Sequence, residues 1–126
     1  MIVTGGSRGI GAEIATLGAA DGYAVCISYV KNKAAADAVV DAIRQAGGTA
    51  IAVAADMAVE ADILRLFATV DKELGTVTAL VNNAGILETQ MRVDQMDVAR
   101  MQRIFNTNIV GSFVCAREAV KRMSTK

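Results

Sequence analysis

The sequence contains no histidine, no proline and no tryptophan, only two cysteines, and 4% aromatic residues. Without histidine there is no histidine-based hydrolytic triad and no helix of the H-E-x-x-H zinc type. Cys26 falls in an apolar strand and Cys115 in an apolar helix, so both read as small core hydrophobes. They suit a reducing cytoplasm and offer neither a disulfide framework nor a metal site. Charge of either sign is also missing in net terms, because 13 basic residues offset 13 acidic ones. That balance gives nucleic acid or an anionic membrane surface nothing to bind. The longest stretch without a charged residue lies between Glu73 and Glu88. It falls short of the roughly 18 apolar residues of a membrane span. The first residues read as a strand, without the basic and then apolar pattern of a signal segment.

What is present is a chain that is 53% hydrophobic and built on Ala, Val, Ile and Leu. Its length predicts one domain over residues 1–126. Strand and helix signals alternate. Strands are expected at Ile2–Thr4, Ala24–Tyr29, Ala50–Ala54 and Val77–Asn82. The first helix is expected to turn Ile10, Ile14 and Leu17 to one face and to end before Gly22. The second, from about Lys33 to Ala46, is expected to do the same with Ala35, Val39 and Ile43. The third carries Ile63, Leu64, Phe67, Val70 and Leu74 at helical spacing, with Gly75 just past its end. Residues 86–96 read as a loop or short helix, and a long last helix runs from about Asp97 to Met123. This alternation predicts an α/β fold: a doubly wound parallel sheet covered by helices on both faces, in three α/β/α layers. Eleven glycines punctuate the turns in place of proline. Such a shortage of proline fits a chain that is part of a larger domain.

The strand Met1-Ile2-Val3 runs directly into Thr4-Gly5-Gly6-Ser7-Arg8-Gly9-Ile10-Gly11 and so into a helix. The first amides of a helix lack acceptors and carry partial positive charge. Glycine permits the tight turn and the close approach of an anion, so this turn reads as a phosphate cradle. A second strand ending among lysines, a third followed by Asp56 and a fourth running into Asn82-Asn83-Ala84-Gly85 extend the reading to a nucleotide.

In this order and spacing, Thr4-Gly5-x-x-x-Gly9-x-Gly11, Asp56, Asn82-Asn83-Ala84-Gly85 and Asn108-x-x-Gly111 resemble the classical short-chain dehydrogenases/reductases. The resemblance covers the whole chain but only the first half of a usual member. It implies a Rossmann-type fold cut off after the fifth major helix. Gly5, Gly9 and Gly11 would bind the cofactor's phosphates and ribose, with Ser7 and Arg8 at the tip and Ile10 beneath. Asp56 would accept from the adenine amino group, against the plainer reading of a turn cap, with Met57 adding backbone contact. Asn83, Ala84 and Gly85 would line the ribose. NAD-binding members carry an acidic residue at the end of the second strand. Here that position is Tyr29, followed by Lys31 and Lys33, while Arg8 stands just before Gly9. NADP(H) is therefore the expected cofactor, with NAD(H) the alternative, and Arg8 is the preferred partner of the 2′-phosphate. Thr78 stands where the family usually has an aspartate, which weakens support for the adenine pocket.

Asn108 is the one candidate catalytic residue. The resemblance gives it a water-holding role in a proton relay, against an asparagine satisfied by backbone alone. The family's serine and Tyr-x-x-x-Lys pair are not in their places. Tyr29-x-x-x-Lys33 matches only by letter, because it sits at the end of a strand. The implied activity is hydride transfer between nicotinamide and a carbonyl or secondary alcohol. The complete protein is expected to be a cytoplasmic homotetramer or homodimer. A non-catalytic dinucleotide-binding or regulatory module remains the alternative.

Overall fold

Successive residues of a strand face opposite sides of a sheet, and the apolar strand residues divide on that rule. The computed structural model describes residues 1–125. Four strands, β1 (Ile2–Val3), β2 (Val25–Tyr29), β3 (Ala50–Ala54) and β4 (Leu80–Val81), pair in parallel in the order β3-β2-β1-β4. Ile2, Cys26 and Val53 face one layer, formed by α3 (Glu60–Glu73) and α5 (Gly111–Met123). Val3, Val25, Ile27 and Ala50 face the other, formed by α1 (Gly9–Ala20) and α2 (Lys33–Gln45). The three-layer doubly wound expectation is therefore correct. The strand order also reverses between β1 and β4. Ligands of such sheets bind beyond the strand ends at this reversal.

Element positions follow the sequence more closely than helix faces do. In α1 the buried residues are Gly11, Ala15 and Gly18, whereas Ile10 and Leu17 are 75% and 62% exposed. The expected face is thus corrected. This helix lies so close to the sheet that a Cβ on Gly18 would sit 2.8 Å from the Met1 sulfur. Close approach selects the smallest residues and turns the large ones outward. α2 buries Ala36, Val40 and Ile43, one position on from two of the expected residues. Val39 packs only at the edge of that cluster. α3 buries Leu66 in addition to Ile63, Phe67 and Val70, and Leu64 is exposed. Gly75 takes the expected left-handed conformation, with φ 89°.

β4 is shorter than the expected Val77–Asn82. Its partner β1 has only two residues, pairing Ile2 with Leu80 and Val3 with Val81, so the ladder has nothing further to join. Val77 is nevertheless buried as the chain enters the core. A single 3-10 turn, Val93–Gln95, lies in the 86–96 loop. The last helix is divided into α4 (Val98–Phe105), capped by the Asp97 carboxylate on the Arg100 amide, a π-helical turn Asn106–Val110, and α5. Such turns rotate the helix face. Met101 and Phe105 consequently lie outside, off the buried face of Cys115 and Ala119 that a single continuous helix would have them share.

Charge fixes α5 on α3. The buried Glu118 carboxylate accepts from Lys121 (2.7 Å), Arg117 (3.0 Å) and Arg122 (3.2 Å). Arg117 also reaches Glu60 (2.7 Å) and Arg122 reaches Asp71 (2.8 Å) on α3. Arg122 lies 5.0 Å from the centre of the buried Phe67 ring.

Candidate dinucleotide site

The turn from β1 to α1 and the start of the segment after β4 are joined through Thr4. Its buried hydroxyl accepts from the amides of Asn83 (3.1 Å) and Ala84 (3.0 Å) and donates to the Val81 carbonyl (3.4 Å). Asn83 answers with its own amide group, donating to the carbonyls of Thr4 (2.9 Å) and Gly5 (3.0 Å). From β2, the Ser28 hydroxyl accepts from the Gly5 amide (3.0 Å) and the Ser28 carbonyl from the Gly6 amide (3.0 Å). The glycine turn is thus held by three strands, and both strand-end polar residues are paired, as burial requires.

Two glycines show why the turn needs that residue type. Gly9 has φ 55° and open space where a Cβ would project, so its missing side chain leaves room against the first amides of α1. A Cβ on Gly11 would come 2.5 Å from both the Asn83 amide nitrogen and the Gly5 carbonyl oxygen. Arg8, the residue before the helix, makes no side-chain cap, whereas Asn32 caps α2 and Asp97 caps α4 with their own oxygens. The amides opening α1 are left to an external acceptor.

A cleft of about 920 Å³ runs across the strand ends. Every expected binding residue lines it: Gly5, Ser7, Arg8, Gly9, Ile10 and Gly11 at the turn, Tyr29 and Lys31 after β2, Asp56 and Met57 after β3, and Asn83, Ala84 and Gly85 after β4. Lys33 is turned away in an ion pair with Asp37 (2.6 Å). The Asp56 carboxylate accepts from the Ala58 amide (2.8 Å), and the Asp56 amide donates to Asp62 (2.9 Å), which is braced by Arg65 (2.9 Å). The turn-capping role is therefore realised in the geometry while the residue still borders the cleft. Thr78 is exposed and takes no part in this network.

Asn108 lies in the π-helical turn. Its side chain accepts from the Ile86 amide (2.8 Å) and donates to the Ile86 carbonyl (2.9 Å), the paired arrangement a peptide group offers an amide. Its own carbonyl accepts from the Ser112 hydroxyl (3.2 Å). Gly111 follows with no room for a Cβ against the Met57 carbonyl, so α5 presses directly on the β3–α3 turn. Tyr29 and Lys33 stand at the end of β2 and the start of α2.

The sequence reading did not single out Thr4 or Ser28 as hubs, nor Arg103, Asn106 and Thr107 as cleft-lining residues. Thr4 and Ser28 carried a signal, each being a hydroxyl residue within or just after an apolar strand. Asn106 and Thr107 depend on the π-helical turn, which leaves no periodic trace, and Arg103 on α4 just before it reads only as surface charge.

A parallel sheet with its strand order reversing at a glycine-rich turn, and a cleft at that reversal, defines a nucleotide-binding α/β protein. The short chain dehydrogenase family pattern matches residues 1–126, and the chain belongs to that family. It is 46% identical to an uncharacterized oxidoreductase, YgfF, of Escherichia coli, over 99% of this chain and 51% of that protein. It is 38% identical to a 3-oxoacyl-[acyl-carrier-protein] reductase of Synechocystis, over 97% of this chain and 49% of the relative. A crystal structure of a short chain dehydrogenase from Burkholderia cenocepacia J2315 in complex with NADP matches with a TM-score of 0.93 and 37% identity. That match covers 98% of this chain and 50% of the other. The chain spans about half the length of the relatives it matches.

Proposed function

We propose that the chain is the cofactor-binding half of an NADP(H)-dependent oxidoreductase acting between a carbonyl and a secondary alcohol. The observation that carries this reading is the cleft itself. The uncapped start of α1 lines it, and so do Arg8 and Tyr29, the latter at the strand end where a carboxylate would repel a 2′-phosphate. Bound NADP(H) would supply the hydride. The chain's own residues bind and orient. Amides 9–11 receive the diphosphate, Arg8 the 2′-phosphate with Lys31 nearby, Asp56 and Met57 the adenine, and Asn83, Ala84 and Gly85 the ribose. The NADP complex of the Burkholderia relative supports the choice of cofactor.

Asn108 enters this reading as a positioning residue. With both side-chain groups on Ile86, any water in a relay falls to the carbonyls of its helical turn. The small-molecule substrate is a carbonyl compound or alcohol. The exposed apolar side chains of Phe105, Ile109 and Phe113 support a homodimer or homotetramer of the whole protein. Two unpaired buried cysteines fit a cytoplasmic setting. No helix among the described residues is long and apolar enough to cross a membrane.

Titration of NADPH fluorescence with the purified chain tests the proposal. Saturable binding, with NADH weaker, is the expected result. Absence of binding to either dinucleotide refutes it.

A further inference from the structure

Beyond Gly85 the chain does not wander from the cleft; it is clamped to α4. Glu88 is the centre of the clamp. Its Oε1 accepts from Arg103 Nε (2.8 Å) and its Oε2 from Arg103 Nη2 (3.1 Å), a two-pronged pair. Oε2 also accepts from Arg100 Nη1 (3.1 Å). Arg100 in turn donates to the Thr89 carbonyl (2.5 Å). Arg100 is 8% exposed, and its Nε is buried without a partner among the described residues. A buried cation that leaves a donor unsatisfied is poor for stability. Its placement is better understood as fixing one arrangement of the segment it grips. The same segment is held at its start by Asn108 on both backbone groups of Ile86.

The gripped segment matters because of where it lies. Asp56 and Tyr29 border the cleft at the β3 and β2 ends, the glycine turn borders it in the middle, and Ala84, Gly85 and Ile86 border it past β4. If the adenosine end lies toward β2 and β3, as proposed above, the other half of the dinucleotide lies against 84–86. Arg103, which lines this cleft, is also a member of the clamp.

We propose that Glu88 is a positioning residue for the nicotinamide half of the dinucleotide. It holds Arg100 and Arg103 together and anchors the chain just past the cleft, so that Gly85 and Ile86 present one fixed wall. This rests on the dinucleotide reading. It adds that affinity for the two ends of the ligand is set by separate parts of the chain.

The test uses two probes on the same protein. NADPH fills the whole cleft, whereas 2′,5′-ADP fills only its adenosine end. Glu88→Gln keeps size and one acceptor but loses the charge and the two-pronged pair. It is expected to weaken NADPH roughly five- to tenfold, within the range for residues sharing one network, and to leave 2′,5′-ADP within about twofold. Arg103→Met, at an exposed position, keeps the ion pair between half-buried Glu88 and buried Arg100. It is expected to show a selective loss of roughly threefold or more for NADPH; if Glu88→Gln does not fold, Glu88→Asp, which keeps the charge but shortens its reach, takes its place in the same comparison. Were Arg103 to act by touching the ligand independently, the two losses would multiply. Action through the clamp leaves the double variant no weaker than the weaker single one. Equal losses for both probes, no loss for NADPH, or multiplied losses overturn the proposal while the dinucleotide reading stands. A wild-type protein that binds neither probe takes both readings down.

Discussion

Replacing Thr4 by valine removes one oxygen and nothing else of size. That oxygen accepts from two amides, at 3.1 and 3.0 Å, in a side chain that is 1% exposed. Valine fills the same volume, so no cavity forms and the whole effect falls on the orphaned Asn83 and Ala84 N–H groups. A buried donor left without a partner costs about 1–3 kcal/mol. These two amides are only partly buried, so the lower half of that range applies to each and the sum is about 2–4 kcal/mol. For a chain of this size that lowers the melting temperature by about 8–16 °C. Thr4→Ser is the control. It keeps the oxygen and gives up a methyl group, a loss of about 1 kcal/mol. Thermal and urea unfolding followed by circular dichroism measure both variants. The distinctive result is the order, with serine near wild type and valine well below. NADPH affinity should fall with valine as well, because the same oxygen aligns the glycine turn with Asn83-Ala84-Gly85. A valine variant as stable as the serine variant would show that water or a backbone shift satisfies those amides, and the hub role of Thr4 would be wrong.

Other expectations follow from the same geometry. Arg8→Ala should weaken NADPH at least about tenfold while changing NADH little, since only the former carries the 2′-phosphate that a guanidinium grips; equal losses in a titration of both would remove the basis for preferring NADP(H). Gly111→Ala forces a methyl group into the Met57 carbonyl and should destabilise by about 1–3 kcal/mol, the usual range for overpacking, in urea unfolding. The Lys121 ammonium beside Glu118, with Arg117 and Arg122, lowers that carboxyl from 4.5 to about 2. Its stabilisation is therefore fully present above about pH 5 and fades as pH falls through 4.5 toward 2. The stability gap between wild type and Glu118→Gln should be constant near neutrality and close over that acid window; a gap that persists unchanged at pH 2 would contradict the assignment. Burial raises the Cys26 thiol to about 12 and the Cys115 thiol to about 11, so neither should react with a thiol reagent at pH 8 until urea unfolds the chain.

The order of elements, the parallel sheet and the ring of residues around the cleft were legible because each leaves a local mark. Apolar runs stop at glycine, the glycine turn follows its strand at once, and Asp56 and Asn83 stand at strand ends. Helix faces were less legible where packing distance reverses the usual rule. In α1 the pattern Ile10, Ile14, Leu17 looks like a buried stripe, yet Gly11, Ala15 and Gly18 are what the sheet accepts. The same closeness that admits only small residues brings Gly11 against Asn83, so the misread face and the phosphate turn have one cause. The last helix misleads for a related reason. Residues 97–123 read as one helix because a π-helical turn has no period of its own. That turn places Asn108 where it can hold Ile86 with both side-chain groups and sets Asn106 and Thr107 at the cleft. A continuous α-helix through 106–110 would carry one residue fewer in that turn. It would rotate either Asn108 from Ile86 or Cys115 from the core. The break in the helix is what allows one element to serve the buried layer and the candidate site together.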